Sequence, residues 1–205
     1  MKMKKAALIA GILGAVIIGS SITITQQNEY KLIRQFGKVD RVICEPGISF
    51  KIPLIERTQS LPKETLLYDL EASDVITKDK KTMISDSYVL WRITDPLKFA
   101  QTLNSSLENS ESRINTAVYN ATKNVISSLS QDRVITSRDG ELSDMVMEAI
   151  GDNMEQYGIE LIKFETKQLD LPDDNKAAVY ERMISERDNI AATYKAEGDS
   201  EAKVI

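Results

Sequence analysis

The chain has 205 residues, with 26 lysines and arginines against 31 aspartates and glutamates, a formal net charge of −5 and no histidine. Without histidine there is no Ser-His-Asp or Cys-His nucleophile, no imidazole acid or base and no histidine metal ligand. The single cysteine, Cys44, rules out an intrachain disulfide framework and a thiolate zinc cluster, so no cofactor or metal is expected.

The first element is apolar. Lys2, Lys4 and Lys5 precede Ala6 to Ile24, nineteen residues without a charge. At ~1.5 Å per helical residue this run reaches about 28 Å, close to the ~30 Å hydrocarbon core. It is read as a transmembrane anchor over residues 6–24, behind a basic flank at 1–5. Ala6, Ile9, Ile12, Leu13, Val16, Ile17, Ile18, Ile22 and Ile24 would face lipid. A cleaved signal peptide is the alternative, since a basic start, an apolar stretch and the small residues Gly19, Ser20 and Ser21 fit that pattern too. The lysines beside the run favour a cytoplasmic N-terminus with the main domain outside the cytoplasm. Without those three lysines the rest of the chain carries 23 basic and 31 acidic side chains. An acidic body of this kind suits neither nucleic acid nor a bed of anionic headgroups.

From Glu29 to Glu71 the pattern is short strands broken by Gly37-Lys38, Glu45-Pro46-Gly47, Pro53 and Pro62. Cys44, beside Glu45 and Pro46, reads as a partly buried residue at a strand end. Thr65 to Leu70 and Val75 to Thr77 continue the set, and Lys78-Asp79-Lys80-Lys81 reads as a solvated hairpin tip. Thr82 to Thr94 is the clearest strand, apolar on both parities, as expected of a central strand covered on one side by helices. Asp95-Pro96 then switches the period to a helix. A second helix runs from Leu107 to Leu129 with Ile114, Val118, Ala121 and Val125 on one stripe. After a short connection, Leu142 to Met154 repeats the pattern and Gly158 closes it. Its methionines are read as core. Ile159 to Leu171 returns to strand, with Ile162, Phe164 and Thr166 on one face.

After Pro172, residues 172–205 read as one long, highly charged helix. Its narrow stripe of Val179, Met183, Ile190 and Tyr194 cannot bury itself on a globular core, so these residues are the candidate subunit-contact stripe. The pattern stops in mid-helix at Lys203-Val204-Ile205, and the expectation is a C-terminus cut short. The fold class is therefore α+β. A transmembrane helix leads into a domain at 25–171, an antiparallel-rich sheet with packed helices, and a coiled-coil-like helix follows.

Phe36-Gly37-Lys38-Val39, the segment Glu45 to Ile55 and Asp86 to Ile93 together resemble the stomatin/prohibitin/flotillin, or band-7, family. Gln168-Leu169-Asp170-Leu171-Pro172, Val179 to Met183, Glu186-Arg187 and Lys195-Ala196-Glu197-Gly198 bring the resemblance to the branch whose smaller member pairs with an HflK-like subunit. The resemblance implies a single-pass scaffold in the lipid bilayer that assembles with itself and with that HflK-like partner. It also implies that the scaffold modulates an FtsH-type membrane protease without being a hydrolase.

Two other classes are weighed. A lipid- or small-molecule-binding module beside the membrane is one, although no convergent polar site recommends it. An intrinsic peptidase is the other. No serine lies in Gly-x-Ser-x-Gly or Ser-x-x-Lys, and Ser85 and Ser87 read as strand residues facing polar neighbours or solvent. Asp69 with Glu71, and Asp173 with Asp174, read as local charge pairs.

Overall fold

The computed structural model describes residues 19–137, 140–170 and 173–202. Among the described residues nine strands form three antiparallel sheets. β1 (Ile22–Thr25) pairs with β4 (Gly47–Phe50), and β2 (Glu29–Gln35) lies between β3 (Lys38–Ile43) and β5 (Glu56–Pro62). In the third sheet β8 (Thr82–Ile93) is central. β6 (Leu66–Asp69) and β7 (Ser73–Ile76) lie end to end along one side of it, and β9 (Ile159–Asp170) lies along the other.

The long alternation of β8 sets the core. Met83, Ser85, Ser87, Val89, Trp91 and Ile93 all point to one buried face, and helices cover it. Ser85 and Ser87 are thus buried, contrary to the solvent-facing expectation. They share the parity of Trp91 and follow the strand's period whatever their polarity. α1 (Pro96–Leu103) starts where expected, with the Asp95 carboxylate accepting from the N–H groups of Leu97 and Lys98, both at 3.0 Å. α2 (Leu107–Ser128) is capped by Ser106 and buries Ile114, Val118, Ala121 and Ile126 at helical spacing.

The expected short connection after α2 contains a further helix, α3 (Gln131–Thr136). Its first N–H bonds the Asp79 carboxylate at 3.1 Å, so the hairpin tip after β7 serves as its cap. Asp79 is therefore not a plain solvated charge. It also accepts from the Thr77 hydroxyl at 2.6 Å and pairs with Lys81 at 3.1 Å. α4 (Glu141–Ile150) follows, but it does not run on to Met154 as one helix. Gly151, at φ 53° and ψ −144°, breaks it, and a 3₁₀ turn covers Gly151–Tyr157. Gly158 then closes this segment in the left-handed region, as its position predicts.

Two further points depart from the sequence pattern. Ile162 and Lys167 are extra residues on β9 relative to β8, and the bulge at Ile162 turns that side chain outward while Phe164 is fully buried. Cys44 follows the end of β3 and is exposed, not partly buried. The two larger sheets meet through Leu32 and Leu61, which enter the same core as Trp91. They also meet at Ser105, whose hydroxyl accepts from Arg34 at 2.7 Å and whose carbonyl accepts from Gln59 at 3.3 Å. Asn104 and Ser105 are both left-handed, at φ 55° and 57°. α5 (Asp173–Ala202) is a 30-residue helix beyond the domain, roughly 45 Å long.

Candidate membrane-facing surface

Ile22 and Ile24, assigned to the anchor by their apolar run, lie in β1 and not in a helix. The tetrapeptide Ile-Thr-Ile-Thr is wholly β-branched, which favours strand over helix, and β4 is available to pair with it. The anchor residues Ala6, Ile9, Ile12, Leu13, Val16, Ile17 and Ile18 lie outside the described residues. Among the described residues no helix is long and apolar enough to cross a membrane.

The alternation of β1 is inverted for a soluble strand. Thr23 and Thr25 face inward, while Ile22 and Ile24 are exposed. The register sets Ile22 opposite Phe50 and Ile24 opposite Ile48, all four on the outer face. The same apolar surface continues along the chain through Ile52 and Leu54. Leu54 is 100% exposed, at φ 76°. On the neighbouring sheet Gln35 pairs with Glu56, so Phe36, one residue on, lies next to Ile55. Phe36 is 87% exposed, at φ 51° in the β2–β3 turn. Two bulky apolar residues held out at left-handed tips cost folding free energy and gain nothing from water. Lys38 and Lys51 stand beside this rim, with stems long enough to keep their charges in water.

Polar contacts hold the rim from behind. The buried Glu56 carboxylate accepts from the Ile52 N–H at 2.8 Å and pairs with Arg41 at 3.3 Å, closing the loop that carries Leu54. Arg41 also donates to the Phe50 carbonyl at 2.6 Å. Lys31 reaches the Ile24 carbonyl at 2.8 Å and so ties β1 to β2. The same ammonium, with the Gln26 N–H, holds the Glu29 carboxyl down at about 2. Lys51 N–H bonds the Ser21 carbonyl at 2.8 Å, just beyond the paired ends of β4 and β1.

The other predicted surface is on α5. Ile190 and Tyr194 are exposed there, as are Tyr180 and Ile184; the side chains of Val179 and Met183 lie outside the described set. The rim is not legible in the sequence, where Ile22 and Ile24 read as anchor and Ile48 and Phe50 as ordinary strand. The parity of Ile-Thr-Ile-Thr, apolar outward, becomes informative only once β4 is known to be its partner.

Among the described residues the serines and carboxylates weighed for hydrolysis do not converge. Ser85 and Ser87 lie in the apolar core, and Asp69 pairs with Lys167, which also holds Asp86 at 2.8 Å. Among the described residues no group of three or more potential metal ligands converges.

Comparison with known proteins agrees with this architecture. Over 93% of its length the chain is 29% identical to Protein HflC of Haemophilus influenzae, covering 68% of that protein. It is 28% identical over 93% of its length to Protein HflC of Buchnera aphidicola, covering 69% of it. It is 25% identical over 99% of its length to the Modulator of FtsH protease HflC of Escherichia coli K12, covering 75% of it. The family model described as SPFH domain / Band 7 family matches residues 23–200, and the chain belongs to that family.

Proposed function

We propose that this chain is a membrane-anchored, non-enzymatic modulator of an FtsH-type membrane protease, acting as an assembled scaffold with an HflK-like subunit. The apolar run from Ala6 up to β1 crosses the bilayer with the N-terminus in the cytoplasm. The domain sits on the outer leaflet by its apolar rim, and α5 packs along neighbouring subunits through the Val179, Met183, Ile190 and Tyr194 stripe. The observation that carries the reading is the rim. A surface built from Ile22, Ile24, Phe36, Ile48, Phe50 and Leu54, directly after the uncharged run of residues 6–21, suits lipid and not water. The name of the Escherichia coli relative supports the protease partner.

Four measurements test it. The chain should resist carbonate extraction and co-purify in a large complex with an HflK-like chain and an FtsH-type protease. Cysteine introduced at exposed Lys80 should react with an impermeant thiol reagent in intact cells. Replacing Phe36, Phe50 and Leu54 by serine should reduce flotation with liposomes of a variant starting at Gly19, while the Trp91 emission stays that of the folded domain. Extraction by carbonate, labelling only after lysis, or a monomer that cleaves casein would each overturn the corresponding part of the proposal.

A further inference from the structure

β9 is an open edge. It is twelve residues long and pairs with β8, and among the described residues no strand pairs with its other side. α4 lies beside it, and the space between them is a groove. At its centre Ser143, Asp144 and Met147 of the helix face residues 162–165 of the strand around a volume of about 550 Å³. It continues past residues 159–161 towards Asp152 and Glu155, and past residues 165–169 in the other direction. Side chains of a strand alternate between faces, so a wall made of consecutive residues is the strand's backbone edge and not one of its faces.

The bulges at Ile162 and Lys167 twist two points of this edge, a common way of blunting it. Between them Lys163, Phe164, Glu165 and Thr166 pair with β8 in unbroken register, so four residues remain straight. Alternate backbone groups of that stretch point away from β8 into the groove. The charge on the opposite wall is of one sign. Asp144, Asp152 and Glu155 line it and are all exposed. Among the described residues none of the three has a cation within 4.0 Å. Lys163, the cation of the central groove, is already bonded to Glu165 at 2.7 Å.

We propose that this groove receives an extended segment of a partner polypeptide, which adds to Lys163–Thr166 as a further strand and directs lysine or arginine side chains at the carboxylates of α4 and the 3₁₀ turn. Main-chain pairing supplies the attachment, and the acidic wall selects a basic segment. Through β6 or β7 a second copy of this chain is a poor complement, since Asp69 and Asp74 would meet the acidic wall; the edges β3 and β5, with Lys38 and Arg57, are separated from a foreign segment by the dilution arm of the test. The inference stands apart from the membrane reading, because it uses the opposite sheet and none of the rim residues.

The test uses the full chain in detergent and a fluorescent dodecapeptide that alternates lysine with valine or threonine. Binding should slow amide exchange at Lys163–Thr166. Methylating alternate peptide nitrogens should weaken binding about tenfold or more, since the pairing bonds are lost while the charge is kept. Asp144→Lys with Asp152→Lys should weaken it by at least a similar factor, with Trp91 emission unchanged. No binding, unchanged exchange at Lys163–Thr166, or equal affinity of the methylated peptide would overturn the proposal. So would protection of those amides without peptide that vanishes on dilution, because a second copy would then be the occupant.

Discussion

Gly158→Ala should be among the most damaging single substitutions in the domain, and its cost can be built from the geometry. The residue sits at φ +71°, where a Cβ meets the following backbone at a cost of roughly 1–2 kcal/mol. The added carbon would also lie 2.2 Å from the Asp95 carbonyl oxygen and 3.0 Å from the Phe99 nitrogen, both backbone atoms. That carbonyl accepts the first bond of α1 from Phe99 at 3.0 Å, and the Gly158 carbonyl accepts from Thr94 and Asp95 at 3.0 and 3.2 Å. No flexible side chain can yield, so α1 or the turn must shift, adding an overpacking strain of roughly 1–3 kcal/mol. The unfolded chain loses some freedom with alanine, which offsets about 0.4–1 kcal/mol. A net loss of about 3 kcal/mol follows. Gly37→Ala is the control, since Gly37 has φ +85° but no atom within 4 Å of the added carbon, leaving only the backbone penalty. Trp91, the sole tryptophan and fully buried, reports unfolding of the domain independently of α5. Urea unfolding followed by its emission should place Gly158→Ala well below Gly37→Ala, and equal midpoints would refute the reasoning.

Glu56→Ala should free the Ile52 N–H and Arg41, and hydrogen exchange across residues 52–56 should rise while β8 stays protected; the loss to global stability is about 1–3 kcal/mol. The Asp79 carboxyl is held down at about 2, chiefly by the Thr77 hydroxyl and then by Lys81 and the Gln131 N–H. Its folded pKa lies below the unfolded value, so it adds stability above about pH 4 that is lost as pH falls towards 2. Asp79→Asn should therefore flatten the acid limb of a pH-stability profile in that window and leave the neutral slope alone. Met183→Asp with Ile190→Asp should dissolve the assembly by sedimentation while Trp91 emission stays native, because a charge in a helix seam is desolvated without a partner. An undiminished complex would assign association to the domains.

Where the chain repeats one period for many residues, the sequence reading and the structure coincide. The 22 residues of α2 carry enough helical spacing to identify both the element and its buried stripe, whereas the twelve of β8 identify the strand but not its buried face, both parities being apolar. Asp95-Pro96 marks the start of α1 because capping is local chemistry. Short elements held by distant partners are illegible by the same means. α3 has six residues and takes a capping bond from Asp79, 52 positions earlier. Ile162 breaks parity because an extra residue was accommodated against β8, which no local pattern records. The rim is a third case, since an apolar run beside an anchor looks like more anchor until a second strand fixes its outward face. Whether β9 is an edge is a property of the whole sheet and has no signature in its own residues.

Ser105 gives the molecule a mechanical joint. The rim belongs to β1–β5 and the acidic groove to β9 and α4; Leu32, Leu61 and the Tyr30 hydroxyl on the Ile93 carbonyl join the two halves directly, and the bonds from Arg34 and Gln59 tie the first half to Ser105. Two successive left-handed residues without glycine hold the loop like a cocked spring, loaded with roughly 1–3 kcal/mol each. Force that pries the rim from its support is therefore carried into the α1–α2 corner, and that loop yields before either sheet does. Freed from Arg34, Asn104 and Ser105 would relax and let the angle between α1 and α2 change. A serine that touches neither surface thus ties the sheet beside the rim to the corner between α1 and α2.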